Sequence, residues 1–449
     1  MESDPSENDI ESVPSVPAKT KLKRSRNGSA SPASGDEHAG IVIEGRVNNL
    51  SPVQPQLLSR INEALVLRAV RQHGPSTRGE LSHLMGVTFP TVAKAVGSLL
   101  DARLLEEFDD VMSGPGRPAK RLRLSKEKSQ VVGVTVDVRS CEVAAAGFDG
   151  VLRESTRQSF PTPQSYDELL KAIVKRVNSL HSDKMPILCM GISVVGLVDY
   201  RKQEIRLAAN LPFLDGKKLG RDLSQLLKAD CALVHDAHAL CLAEYVYGEA
   251  SNLDSFAVLD MCTGIGLGVM VNHIFLTGHS GFAGEMGHVP IVPNGRKCHC
   301  GRRGCLETVA SEWALVERIS EQLGRPVDFD EVMALALQGD KLVRSELNRL
   351  CKYLAVAIAY VVNLFNPKCV YVNGPLFDEL PWLRDHLVSR ARQSALEPAF
   401  ADCVFLPTSG SHLLGAIATA ISAVTSSRVH ELKDTLNGIT FSVTRRSVV

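Results

Sequence analysis

The chain has 449 residues, with 50 Lys and Arg against 50 Asp and Glu, 44% apolar content and 11 cysteines. Such a length and apolar share support two or three domains with sizeable cores. The formal net charge of +0 excludes a chain that binds polyanions along its whole length, and an odd cysteine count at irregular spacing excludes a secreted disulfide framework. The first ten residues are acidic and polar and do not read as a leader, and no apolar run reaches the roughly 18 residues that span a bilayer. These features predict a cytoplasmic protein with reduced thiols and no membrane insertion.

Residues 1–52 are rich in Ser, Pro, Glu and Lys and lack the apolar groups needed to offset ordering entropy, which predicts a disordered tail. The tail carries a basic run, Lys19, Lys21, Lys23, Arg24 and Arg26. Residues 53–126 read as a small helical domain ending in a hairpin. Ile61, Leu65, Val66, Ala69 and Val70 repeat at helical spacing, and Gly74-Pro75 ends that helix. Thr77-Arg78-Gly79-Glu80 is a capping box for a second helix, with Leu81, Leu84 and Met85 facing inward. After Gly86, Thr88 caps a third helix that tolerates Pro90 in its first turn. Two strands, Leu104–Val111 and Lys120–Leu124, flank a Gly114-Pro115-Gly116 turn.

This order predicts a winged helix-turn-helix DNA-binding domain. Residues 56–126 hold 11 basic against 7 acidic side chains, a local surplus of 4 that the neutral whole conceals. Thr88, Thr91 and Lys94, at the start of the third helix, are the candidates for reading bases. Arg117, Lys120, Arg121 and Arg123, in or after the wing, are placed to meet phosphates or a minor groove.

Residues 127–426 read as α/β. Strands are predicted at 131–136, 141–148, 187–194, 233–234, 256–261, 268–271 and 369–372, with helices near 166–180, 350–364 and 412–424. A three-strand antiparallel start followed by helix-linked strands occurs twice, predicting two similar lobes around a cleft. Residues 427–449 read as a second tail.

The densest segment is Gly284 to Glu307. It holds His288-x9-Cys298-x-Cys300-x4-Cys305, a Cys3His set of the kind that closes a structural zinc site, together with Glu285 and Glu307. Because the chain supplies all four ligands, the ion has no open position for chemistry.

Gly284-Glu-x-Gly-His288, followed by Cys-x-Cys-Gly-x-x-Gly-Cys-Leu-Glu-x-x-Ala-Ser to Ser311, resembles the signature of the ROK family (repressors, open reading frames, kinases). Gly191 to Asp199 and Asn210-Leu211-Pro212 resemble its sugar-side strand, turn and loop. The helical module ahead of them resembles the repressor branch, of the Mlc, NagC and xylose-repressor type. The resemblance runs over residues 56–426. It implies an actin-like (ribonuclease H-like) two-lobed sugar-kinase fold and a sugar site of Gly196, Asn210, His235, Asp236, Glu285, His288 and Glu307. His288 would use one ring nitrogen for the metal and the other for the ligand.

The departures from that pattern point away from catalysis. The kinases carry Asp-x-Gly-Gly-Thr where backbone amides approach phosphate; this chain has Asp137-Val138-Arg139-Ser140-Cys141. Asp236 stands where the kinases place the carboxylate that deprotonates the sugar, but His235 replaces the preceding Asn and His238 a second one. The resulting expectation is a sugar- or sugar-phosphate-responsive transcriptional repressor of carbohydrate genes, a homodimer or homotetramer on double-stranded DNA, with Asp236 a vestige that binds sugar. The alternatives are an active sugar kinase with a DNA-binding appendage, and an adaptor whose helical module binds protein.

Overall fold

A computed structural model describes residues 55–109 and 120–427. The predicted tails, the Gly114-Pro115-Gly116 turn and Arg117 lie outside these residues. The chain opens with α1 (Pro55–His73), α2 (Arg78–Met85) and α3 (Phe89–Asp101), followed by the antiparallel pair β1 (Leu105–Asp109) and β2 (Lys120–Leu124). The capping box is complete: Thr77 Oγ1 accepts from Glu80 N, and Glu80 Oε2 accepts from Thr77 N at 2.7 Å.

Three local expectations change. Thr88 is the N-cap residue of α3 by position, but its hydroxyl meets Thr91 Oγ1 at 2.9 Å and leaves the backbone uncapped. Leu84 and Leu65 are exposed, whereas Leu81 and Val66 are buried as expected and Leu67 is buried beside Val66. The buried stripe is narrower than the apolar pattern, as set by how the three helices meet.

The first sheet combines β3 (Gln130–Val136), β4 (Ser140–Gly147) and β5 (Gln158–Pro161) with β6 (Ile187–Val194) and, beyond a small hairpin of β7 (Leu197–Asp199) and β8 (Glu204–Leu207), β9 (Cys231–His235). Its order is β5-β4-β3-β6-β9, antiparallel through β3 and parallel after it. Helices α4 (Tyr166–Ser179) and α5 (Leu219–Leu227) pack on it, and α6 (Asp236–Val246) leaves the end of β9.

The second sheet repeats the plan. Its strands are β10 (Phe256–Met261), β11 (Ile265–Val271), β12 (Ile274–Phe275), β13 (Cys369–Asn373) and β14 (Val404–Pro407), in the order β12-β11-β10-β13-β14. Helices α7 (Glu307–Ala310), α8 (Glu312–Leu323), α9 (Phe329–Leu337), α10 (Lys341–Phe365), α11 (Pro375–Glu379), α12 (Pro381–Ser394) and α13 (Glu397–Ala401) belong to this half, and α14 (His412–Ser427) returns to the first sheet. The repeat expected from the sequence is present. The glycine-rich loop expected at 263–268 is mostly β11: the turn is short, and a Cβ on Gly266 or Gly268 would collide with Ala237 or Cys241 of α6. Among the described residues one helix, Lys341–Phe365, is long and apolar enough to cross a membrane by length and composition alone; its apolar face fills the core of the second half.

One hydrophobic cluster ignores the expected boundary at residue 126. Val66, Val70, Leu81, Val96 and Leu99 of the helical module belong to the same buried group as Val131 and Ala146 of the first sheet and Leu413, Ile417 and Ile421 of α14. Ser129 Oγ also donates to Arg103 O at 2.7 Å. The module is therefore packed against the α/β body, and α14 reaches from that contact to the cavity described next.

Candidate functional site

The parallel strands of both sheets point their carboxyl ends at a common cavity of about 200 Å³, where ligands of open α/β sheets bind. All seven sugar-site candidates, Gly196, Asn210, His235, Asp236, Glu285, His288 and Glu307, line it. Asp137 at the end of β3 lines it too, as do Asp260 at the end of β10 and His412 at the start of α14, two residues the sequence reading missed.

Each side chain is placed by its element. Asp236 is the first residue of α6, with its carboxylate accepting from Ala237 N at 2.8 Å. His235 Nε2 lies 3.1 Å from Asp236 Oδ1 and 3.7 Å from Glu285 Oε1. Its Nδ1 is buried and has no hydrogen-bond partner among the described residues. Gly196 turns the chain after β6 with φ +108°, and a Cβ there would stand 2.5 Å from Leu207 O, so no other residue fits.

His238 stands behind the cavity, not in it. Its Nδ1 meets Tyr200 Oη at 2.6 Å and its Nε2 meets Ala283 O at 2.9 Å, which ties α6 to the loop that carries Glu285. Glu307 Oε1 accepts from Trp313 Nε1 at 3.2 Å, and Asn210 Oδ1 lies 2.8 Å from His299 Nδ1. His299 stacks on Trp313 with ring centroids 4.5 Å apart. His299 and Trp313 thus buttress Asn210 and Glu307, and in the sequence His299 is hidden between Cys298 and Cys300.

Burial sets the protonation of the site. Burial, then Asp236 and Glu307, pushes Glu285 up to about 8. Burial and the nearby Asp260 raise Asp236 as well. Burial pushes His235 down to about 4 and His238 down to about 3, so both are neutral. Asp260 and His412 form an ion pair at 2.6 Å in which mutual attraction outweighs burial: Asp260 is held below its ordinary value and His412 is raised to about 9.

The four cysteine and histidine ligand atoms of His288, Cys298, Cys300 and Cys305 lie within 4.8 Å of one another. Cys300 and Cys305 sulfurs are 3.8 Å apart, and Cys298 Sγ is 3.6 Å from His288 Nδ1. A tetrahedron with zinc–sulfur bonds of about 2.3 Å and a zinc–nitrogen bond of about 2.0–2.1 Å requires separations of about 3.8 Å and about 3.6 Å. Two of the six ligand pairs match these separations and all four atoms lie within 4.8 Å, so the donor set suits such an ion, with His288 Nδ1 on the cluster side and Nε2 left for the cavity. Gly304, at φ +75°, makes the turn before Cys305; a Cβ there would lie 1.8 Å from Val292 O.

The turn from Asp137 to Cys141 departs from a phosphate cradle. Arg139 reaches across the cleft to Glu312 of α8 at 2.8 Å and lies over Phe329 at 5.2 Å. Cys141 is fully buried beside Thr162 at 3.5 Å and does not face the cavity. In the helical module Thr88 and Lys94 are exposed and Thr91 is half-buried. Lys120, Arg121 and Arg123 are engaged by Glu107, Glu80 and Glu106 of the same module, at 3.2, 3.5 and 2.7 Å.

A kinase-like cavity that carries a Cys3His cluster defines the class, and the sequence comparison names it. The ROK family model matches residues 131–423, and the chain belongs to that family. Its relatives include the xylose repressor of Bacillus subtilis (strain 168), 27% identical over 78% of this chain and 92% of that protein. The transcriptional repressor Mlc of Escherichia coli (strain K12) is 26% identical over 81% of this chain and 92% of its own length. Among solved structures, a ROK family transcriptional regulator described as a homologue of E. coli Mlc superposes with TM-score 0.71 at 23% identity, covering 85% of this chain and all of that one. ROK hexokinase from Thermus thermophilus superposes with TM-score 0.57 at 27% identity, covering 66% of this chain and 99% of that chain. The fold is the α/β ROK fold shared by sugar kinases and Mlc-like regulators.

Proposed function

We propose that this protein is a DNA-binding transcriptional regulator, a repressor of carbohydrate-metabolism genes, whose kinase-like cavity senses a sugar or sugar phosphate without phosphorylating it. The relatives named as sugar repressors support this reading, and so does the order of elements in the chain. The observation that carries it is the joining of a helical module and a sugar-type cavity by one buried cluster, with α14 spanning both.

Residues 53–126 form the winged helix-turn-helix domain, between a tail at 1–52 and a sensor at 127–426. Thr88, Thr91 and Lys94 present the start of α3 to a major groove, while Arg117, Lys120 and Arg121 meet phosphates. Bound DNA would draw Lys120 and Arg121 from Glu107 and Glu80. The protein acts in the cytoplasm as a homodimer or homotetramer, on half-sites about 34–36 Å apart or a multiple of that.

In the sensor, Asp236, Glu285 and Glu307 accept from sugar hydroxyls, and Asn210 offers its amide hydrogens because its oxygen faces His299. His288, Cys298, Cys300 and Cys305 hold a structural zinc ion that keeps the Glu285–Glu307 segment in shape. Catalysis is absent in this reading because Arg139 and Glu312 occupy the nucleotide side of the cleft. The test is a binding assay on duplexes selected from a random pool, paired with a coupled ATP-turnover assay over a sugar panel. Salt-dependent duplex binding without sugar-dependent turnover is expected. Robust turnover would favour an active kinase instead.

A further inference from the structure

Behind the cavity wall a chain of hydrogen bonds joins three separate segments. Tyr200 follows β7, His238 is the third residue of α6, and Ala283 stands two residues before Glu285. His238 is fully buried, with its ring edge-on to Phe275 and His235 at centroid separations of 4.9 and 5.2 Å. Two glycines bring the loop that carries Glu285 onto this pair. A Cβ on Gly281, at φ +98°, would stand 2.9 Å from the Tyr200 ring. A Cβ on Gly284, at φ +91°, would stand 1.9 Å from Leu267 O and 3.5 Å from His238 Nε2.

The bonds run in one direction. Ala283 O only accepts, so His238 Nε2 carries the ring proton and donates to it at 2.9 Å. The neutral imidazole then has Nδ1 as its acceptor, and Tyr200 Oη donates to that nitrogen at 2.6 Å. Burial raises the Tyr200 hydroxyl above its ordinary value and keeps its proton in place. The oxygen of the same hydroxyl accepts from His235 N at 3.2 Å. Tyr200 and His238 do not line the cavity, yet both ends of their chain lie on backbone beside carboxylates that do: His235 N next to Asp236, and Ala283 O close to Glu285. A constellation of binding groups works only when it is held within about 0.5 Å, and a fully satisfied buried chain supplies that hold.

We propose that Tyr200 and His238 are positioning residues that fix the separation of Asp236 and Glu285, and so the ligand hydroxyls these carboxylates reach. The proposal rests on the sugar-sensing reading and deepens it. The test uses the full-length, metal-loaded chain and three variants. Tyr200→Phe removes one hydroxyl and keeps the ring against Gly281. His238→Leu removes both ring nitrogens, and His238→Gln restores an N–H that reaches Ala283 O.

Hydrogen-exchange mass spectrometry follows the His235 amide, bonded to Tyr200, and the amides of Ala283, Met286 and His288, bonded within their own loop. Calorimetry follows glucose, N-acetylglucosamine, xylose and the 6-phosphates of the first two. Tyr200→Phe is expected to speed exchange at His235, and His238→Leu to speed it over 283–288, each by at least about tenfold. Whichever compound binds the parent should bind both variants about tenfold more weakly, or about 1.4 kcal/mol, with zinc content unchanged. His238→Gln should recover most of the affinity and loop protection that His238→Leu loses. A packing role alone predicts that His238→Leu matches or exceeds His238→Gln, and that result overturns the proposal, as does parent-like exchange and affinity in Tyr200→Phe. Either leaves the sugar reading standing. If His238→Leu fails to fold, Tyr200→Phe, which removes a single oxygen, decides. If no compound binds the parent, the sugar reading fails and exchange alone decides whether the chain holds the loop.

Discussion

His412 Nε2 stands 2.6 Å from Asp260 Oδ2, and this ion pair fastens the first residue of α14 to the end of β10 at the edge of the cavity. Five residues further along α14, Ile417 lies in the cluster shared with the helical module. The pair therefore links ligand-side chemistry to the module through one helix. Removing the imidazole leaves Asp260 buried without a cation, at a cost toward the lower end of about 3–5 kcal/mol because His412 is partly exposed. His412→Gln is expected to lower the melting temperature and to weaken the effect of ligand on DNA affinity. The pair's contribution from His412 is complete below pH 6.5, the ordinary value, and is lost as pH rises through about 9. Thermal melts from pH 8 to 9.5, above the Glu285 window, should show that loss in the parent and not in His412→Gln.

Glu285 gives a second pH signature in a lower window that overlaps the first. Its folded-state value is raised to about 8 from 4.5, so the folded protein keeps a proton that the unfolded chain has released. Stability falls as pH rises between these values and levels off above about 8. Glu285→Gln should match the parent near pH 5 and exceed it in melting temperature at pH 8.5. Equal melting curves at both pH values would mean that Glu285 is not desolvated as described.

The metal segment carries two ligand-facing carboxylates along with its cysteines. Cys300→Ala should lower bound zinc, measured by elemental analysis, and should lower sugar affinity in the same preparation. Structural zinc contributes roughly 10–16 kcal/mol in small finger peptides, so local unfolding of 284–307 is the expected consequence. A variant with full metal content and unchanged affinity would refute the role given to His288.

Arg139 spans the cleft to a buried Glu312 whose carboxyl burial pushes up to about 7. The guanidinium is half exposed, so its loss should cost about 1–2 kcal/mol, less than a fully buried pair. Arg139→Met is expected to destabilise modestly and to gain no ATP turnover. Sugar-dependent phosphate transfer in that variant would show that only this side chain blocks catalysis.

What was legible in the sequence was local or strictly ordered. The capping box at Thr77 and Glu80 depends on four consecutive residues, and strands 187–194 and 256–261 are short, mostly apolar stretches broken only by Gly191 and Ser193 in the first and Asp260 in the second. The seven candidates that line the cavity were legible because they belong to motifs that occur in order. The pairs that close the site were not legible. Asp260 and His412 are 152 residues apart, Arg139 and Glu312 are 173 apart, and nothing local to either partner encodes the other. Arg139 read from sequence as bulk in a phosphate turn, whereas the fold gives it a partner. The misplaced Leu65 and Leu84 have a related cause, since in an eight-residue helix like α2 the buried stripe is decided by its neighbours.

The central claim is that occupation of the cavity changes how tightly the same chain holds DNA. Fluorescence anisotropy on a selected duplex, titrated with protein at fixed salt with and without the bound sugar, tests it most directly. An allosteric coupling of about 1–3 kcal/mol predicts a change of roughly 5- to 150-fold in DNA affinity, abolished in Glu285→Gln. A sugar that binds the cavity by calorimetry yet leaves DNA affinity unchanged would contradict the account.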